Sequence, residues 1–212
     1  MKLVNKKGFT LAEVLLTVGI IGVVAAITMP SLMSGWQNKA YSTMARRFYS
    51  LYNQAIETMI KDDMALNINE SRTARIAVNS QDGFWPKYFH LIENCEQNYD
   101  NCFASTGYKT GNNAQPGTKV SSIISGMPNN NSYYAFVLVS GESVASPLIA
   151  NGNSIIVDLN GKKGPNTLGK DFWIMNIDVN GDIGNDDAAS CAGNDFVSGC
   201  FAKLKKENWT IK

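Results

Sequence analysis

The residues able to do chemistry in this 212-residue chain are few: one histidine, four cysteines and eighteen acids. Gly141–Ala145 reads GESVA, which lacks the second glycine of a nucleophile elbow. Gly161–Gly164 reads GKKG, without the spacing of a phosphate loop or the Ser/Thr that follows its lysine. There is no H-E-x-x-H, so a hydrolase would have to work with carboxylates alone, and Asp186-Asp187 read as a solvated turn. His90 fits a surface or core-edge position better than a ligand. The residue types point away from an enzyme.

The cysteines fall in two local pairs, Cys95/Cys102 and Cys191/Cys200, with six and eight residues between partners. Neither is a zinc-ribbon spacing. An even count in an exported domain reads as disulfides, and three pairings are open. The two local ones are favoured, each closing a short loop worth about 2–3 kcal/mol on chain-entropy grounds. Two D-x-N-G runs follow, at Asp158–Gly161 and Asp178–Gly181. Alternating Asp and Asn before Gly can present oxygens to calcium, which makes Asp158, Asn160, Asp178 and Asn180 candidate ligands. Against an EF-hand, Lys162 stands where another oxygen is needed and no glutamate closes the loop. The competing reading is two tight turns whose Asp and Asn bond their own backbone.

One more acid is out of place. From Phe9 to Met29 nearly every residue is apolar or small, and Glu13 is the single charge. Twenty-one residues of helix span roughly 30 Å, the hydrocarbon thickness of a bilayer. A charge there costs up to about 3 kcal/mol on insertion scales, so it needs a partner. A secretory signal peptide would explain the basic start and apolar core, but leaves Glu13 inside that core and no clean small-x-small site after Ala26. A plain anchor gives Glu13 no role.

KGFTLAEVLLTVGIIGVVAAI, from Lys7 to Ile27, resembles the leader-and-helix signature of the type IV pilins, including the pseudopilins of type II secretion. The resemblance implies a leader of residues 1–8 that ends at Gly8 and a mature chain that starts at an N-methylated Phe9. It also implies that Glu13 neutralises the terminal amine of a neighbouring subunit, and Pro30 falls where these helices commonly carry a proline. Family domains often staple a C-terminal loop with a disulfide, which Cys191–Cys200 resembles. VDLNGKKGPNTLGKDFW is similar to runs in minor or atypical pilin-like proteins. The partners implied are other pilin or pseudopilin subunits, a prepilin peptidase and inner-membrane assembly machinery.

Those residues must be positioned by a small set of elements. After Pro30 an apolar stripe of Trp36, Ala40, Met44, Phe48, Leu51, Tyr52, Ala55 and Met59 continues the helix to about residue 61, amphipathic and packed on its own domain. Pro30 should kink or loosen it. Phe84–Cys95 reads as a helical turn that buries Phe89 and Ile92, and Phe103–Met127 as an irregular loop. Strands are expected at Tyr133–Val139, Ala145–Ala150, Ser154–Leu159 and Phe172–Val179, with Asn151-Gly152 a hairpin signal. The expected fold is α+β: a long N-terminal helix on a small antiparallel sheet of about four strands, pilin-like. Segments are a leader (1–8), a membrane or filament-core helix (9–29), its amphipathic continuation (30–61) and a globular domain (62–212).

Charge is near balance at +1, and removing Lys2, Lys6 and Lys7 leaves 16 basic against 18 acidic residues. Bulk electrostatics therefore do not suggest nucleic acid as a ligand. The leader lysines favour a cytoplasmic leader and a single pass of the inner membrane, with the domain outside. The functional expectation is a structural subunit of a type IV pilus-like filament or secretion pseudopilus. The rival is an anchored or secreted lectin- or adhesin-like binding domain that uses the Asn-rich loops.

Overall fold

A computed structural model describes residues 8–105, 107–112, 117–150, 153–192 and 195–211. Its first element, α1, runs uninterrupted from Leu11 to Asp62. Pro30 lies inside it and does not end it: only one backbone donor is lost, and the turns on either side carry the helix across. The helix stops where the Asp63 N–H turns back to the Met59 carbonyl and Met64 adopts a positive φ of 50°.

Only the second part of the expected stripe is buried. Ser42, Ala45, Phe48, Tyr52, Ala55, Ile56 and Met59 face the domain at spacings of three and four. Trp36 is 78% exposed, Ala40 is exposed and Leu51 is 38% exposed, contrary to the expected seam. The reason is reach: the domain first touches α1 at Tyr41, whose hydroxyl accepts from Asn160 Nδ2 at 3.2 Å. Residues before that lie beyond its edge.

Past α1 come α2 (Arg72–Arg75), α3 (Phe84–Tyr88), β1 (Leu91–Glu96), α4 (Tyr99–Cys102) and α5 (Val120–Ser125). The chain continues through β2 (Tyr134–Leu138), β3 (Ser143–Ser146), β4 (Ser154–Asp158), β5 (Phe172–Asn176) and α6 (Gly199–Lys206). The five strands form one antiparallel meander, ordered as in the chain. β1 is a strand where the sequence suggested a helical continuation, and Ile92 is 65% exposed rather than buried. Its bulged pairing with β2 satisfies the backbone on one side of an outer strand, which side-chain pattern alone does not reveal. β3 starts at Ser143, two residues earlier than expected. A seven-residue connection separates it from β4, in place of a tight hairpin; Asn151-Gly152 lies outside the described residues. α5 and α6 were not expected from the sequence.

Cross-strand register sorts the side chains into two faces. Phe136, Val144, Val157 and Trp173 stand opposite one another in a row. Trp85 stacks on Phe136 at 6.2 Å and contacts Tyr52 of α1 at 6.3 Å, while Phe201 of α6 bridges Trp173 to Tyr49 of α1. This row therefore faces α1. The alternating set, including Ser143, Asp158 and Phe172, faces the excursion between β1 and β2: Ser143 Oγ donates to the Cys102 carbonyl, and Tyr108 packs on Phe172 at 4.6 Å. Both faces are covered, which is why β3 is buried at every position.

The turn after β5 closes on α1 at its far end. Gly181 has φ +92°, and an added Cβ would lie 2.5 Å from Ile56 Cγ2. Gly141, at φ +100° in the β2–β3 turn, has nothing within 4 Å. Gly181→Ala should therefore cost about 2–4 kcal/mol against about 1 kcal/mol for Gly141→Ala, read as unfolding midpoints of the detergent-solubilised chain. Equal losses would mean that the turn does not pack on the helix.

Candidate functional site at the amino-terminal helix

Thr10 caps α1 with an extended backbone (φ −79°, ψ 150°). Its N–H and its hydroxyl each donate to Glu13 Oε2 at 2.9 Å, and the Glu13 N–H donates back to Thr10 Oγ1 at 3.3 Å. This is a reciprocal capping box, which satisfies two of the donors that a helix start leaves orphaned. Glu13 is thus not a carboxylate without partners. The Thr10-x-x-Glu13 spacing is a local capping signature that the sequence carries alongside the anomaly of an acid in an apolar run. Gly8 and Phe9 precede the cap, with Phe9 88% exposed.

From the cap onward the helix is bare. Leu15, Ile20, Val23 and Ile27 are 57–73% exposed, and none of the best 18-residue apolar window is buried. That window has a mean hydropathy of 2.3, and α1 is the one helix among the described residues long and apolar enough to cross a membrane. Burial of each such side chain is worth about 1.5–3 kcal/mol, so this surface demands an apolar environment. Nothing within the described domain supplies one.

Residues 3–29, the same stretch, match the family model of the prokaryotic N-terminal methylation motif. The chain carries the prepilin-type motif of type IV pilins and pseudopilins. With that motif at one end and a five-stranded antiparallel sheet beside the long helix, the architecture is α+β and pilin-like. Families with this motif are structural rather than catalytic. No curated protein and no solved structure matches the chain.

The remaining candidate residues are dispersed. Cys95 is bonded to Cys102, tying β1 to α4, and Cys191 to Cys200, tying a 3₁₀ turn at Ala188–Ala192 to α6. His90 is exposed beside β1. The two D-x-N-G runs lie at opposite ends of the sheet, since Asp158 pairs with Phe172 and Ser154 with Asn176. They form no common site. Asp178 Oδ1 accepts the N–H groups of Asn180 and Asp182, each at 2.9 Å, and Oδ2 accepts from Asn185 at 2.9 Å. Asp158 Oδ1 accepts the Asn160 N–H at 3.2 Å, and Oδ2 takes the Tyr108 hydroxyl at 2.6 Å. Among the described residues no three His, Cys, Asp or Glu side chains cluster as metal ligands.

Sequence reasoning missed the hydrogen bond of Tyr108 to Asp158, fifty residues away, and the nearness of a second buried acid, Asp171. Asp171 accepts the N–H groups of Asn166 and Thr167 at 2.8 Å, so the two acids hold the β4–β5 loop from both ends. Both are fully buried. Burial pushes the Asp158 carboxyl up to about 8, with the neighbouring Asp171 adding to the rise, and burial likewise raises Asp171.

A raised carboxyl favours the folded state most when protonated. This stabilisation is complete below the unfolded value near pH 4 and is lost as pH rises through about 8. Unfolding free energy should fall by up to about 1.4 kcal/mol per pH unit across that window. Asp158→Asn should flatten the profile measured by thermal unfolding from pH 5 to 8; an unchanged slope would place the titration elsewhere.

Proposed function

We propose that the chain is a structural subunit, of minor or pseudopilin-like kind, in a type IV pilus-like filament or type II secretion pseudopilus. A prepilin peptidase cuts between Gly8 and Phe9 and methylates the new terminus. The observation that carries this reading is the division of α1: one half bare and apolar around its circumference, the other buried along one stripe. In the inner membrane lipid covers the bare half, with Lys2, Lys6 and Lys7 keeping the leader cytoplasmic and the domain outside. In the fibre, neighbouring helices take the place of lipid. Within such a bundle the Glu13 carboxylate and a neighbour's Phe9 amine attract strongly because the surroundings are of low dielectric. The subunit therefore works by assembly with companion subunits and membrane machinery rather than by turnover.

The two D-x-N-G turns are part of the fold in this reading, since their Asp oxygens are already taken by N–H and O–H donors. EDTA should leave the unfolding temperature within about 1 °C; a rise of several degrees on adding calcium would assign the ion to Asp158, Asn160, Asp178 or Asn180.

Glu13 separates two roles, capping and charge. Glu13→Gln retains an oxygen acceptor for Thr10 but carries no charge, and Glu13→Val has neither. Both variants should insert and be cut at Gly8, yet their recovery in sheared filaments or crosslinked assemblies should fall at least about tenfold. Loss with Val alone would reduce Glu13 to a helix cap, and normal incorporation of both would sink the stacking role. Mass spectrometry of the mature chain should find a methylated Phe9, and Gly8→Val should block the cut. A start after Ala26 would instead mean a conventional signal peptide.

A further inference from the structure

The pole of the domain nearest the bare half of α1 carries exposed groups that filament assembly, as proposed above, leaves unexplained. The Tyr41–Asn160 hydrogen bond sets the β4–β5 loop against α1 at this end. Lys162 and Lys163 project from that loop and are exposed. They line a groove with Met44 of α1 and with Ser140 and Gly141 of the β2–β3 turn, where Val139 is 63% exposed. Met44 also borders the surface formed by Trp36 and Lys39. Glu93 lines the same groove as the lysines, and Glu142 is buried against Ser140. On the surface of this pole three exposed lysines accompany one exposed carboxylate.

Helix length says what this pole meets. Trp36 lies 27 residues beyond Phe9, about 40 Å along a straight helix, and Tyr41 about 48 Å. A bilayer with its headgroups is about 40–45 Å thick. With Phe9–Met29 filling the hydrocarbon core, Trp36 lies about 10 Å past its far edge, at the outer rim of the headgroup layer, and the lysine pole stands about 8 Å higher, within a Debye length of the lipid charges. An amphipathic indole suits that layer, and lysines beside it attract anionic lipid.

We propose that Trp36, Lys39, Lys162, Lys163 and Val139 form a docking face for anionic phospholipid headgroups, which fixes the depth of α1 and seats the domain on the bilayer before assembly. This rests on the reading of α1 as membrane-spanning. Lipid accounts for both the apolar and the cationic members of the face; a protein partner would have to supply acids and an apolar slot at one fixed height on the helix.

The test uses the full chain reconstituted in vesicles of phosphatidylcholine, with or without phosphatidylglycerol. Flotation with the vesicles, resistant to alkaline extraction, first establishes insertion; failure there overturns the spanning reading and this proposal with it. In inserted protein, amine-reactive labelling read by peptide mapping should slow about threefold at Lys39, Lys162 and Lys163 when phosphatidylglycerol is present, and recover in high salt. Lys61, at the far end of α1, should not change. Lipids brominated at shallow acyl positions should quench a tryptophan component that Trp36→Phe removes; Trp85 and Trp173 are buried, and the half-buried Trp209 is taken out of the signal by Trp209→Phe in both proteins compared. Equal labelling in both lipids, or quenching that persists in Trp36→Phe, overturns the docking face while leaving insertion intact.

Discussion

From Leu11 to Met29, α1 presents apolar side chains on every side, and from Ser42 to Met59 it buries a single stripe against its own domain. A continuous helix joins the two, so the chain must satisfy an apolar medium at one end and water at the other without a break in backbone hydrogen bonding. That constraint orders the rest of the structure. The domain can attach only beyond Tyr41, and it must do so firmly enough that α1 acts as one rod.

The attachment is made at three heights along the stripe. At the near end, Tyr41 meets Asn160 and the Ser42 hydroxyl bonds the Trp209 carbonyl. Midway, Tyr49 packs on Phe201 at 5.9 Å and on Trp209 at 5.4 Å, with Lys205 over its ring at 4.9 Å. The C-terminal segment therefore clamps α1, and the Cys191–Cys200 bond holds the start of α6 in place for it. At the far end Gly181 lets the turn after β5 approach Ile56 closely. Such aromatic contacts contribute about 0.5–1.5 kcal/mol each beyond their buried area.

The buried acids fit the same scheme. Among the described residues Asp158 and Asp171 have no cationic hydrogen-bond partner; they accept from backbone N–H groups and the Tyr108 hydroxyl. This arrangement rigidifies the loop that presents Asn160 to α1 and Lys162 and Lys163 to solvent. Burial raises both carboxyls, Asp158 to about 8, which places that acid in the structure at the expense of stability at higher pH.

The amino-terminal helix was legible in the sequence because its signals are local. An apolar run of this length, an acid at one position and the methylation motif of residues 3–29 belong to one short stretch and do not depend on distant residues. The helical stripe followed from a period of 3.6 and the four later strands from β-rich composition and turn signals, and even the missed capping box was written in Thr10 and Glu13. What only the tertiary structure decided was where each face ends. Trp36 fits the stripe by spacing, yet it is bare because the domain does not extend that far. β1 is a strand because β2 offers it partners, although Ile92 stays exposed. Asp158 is a buried acid rather than an open turn because Tyr108, fifty residues away, closes over it. Burial and pairing are properties of what arrives from elsewhere in the chain, and no local pattern encodes them.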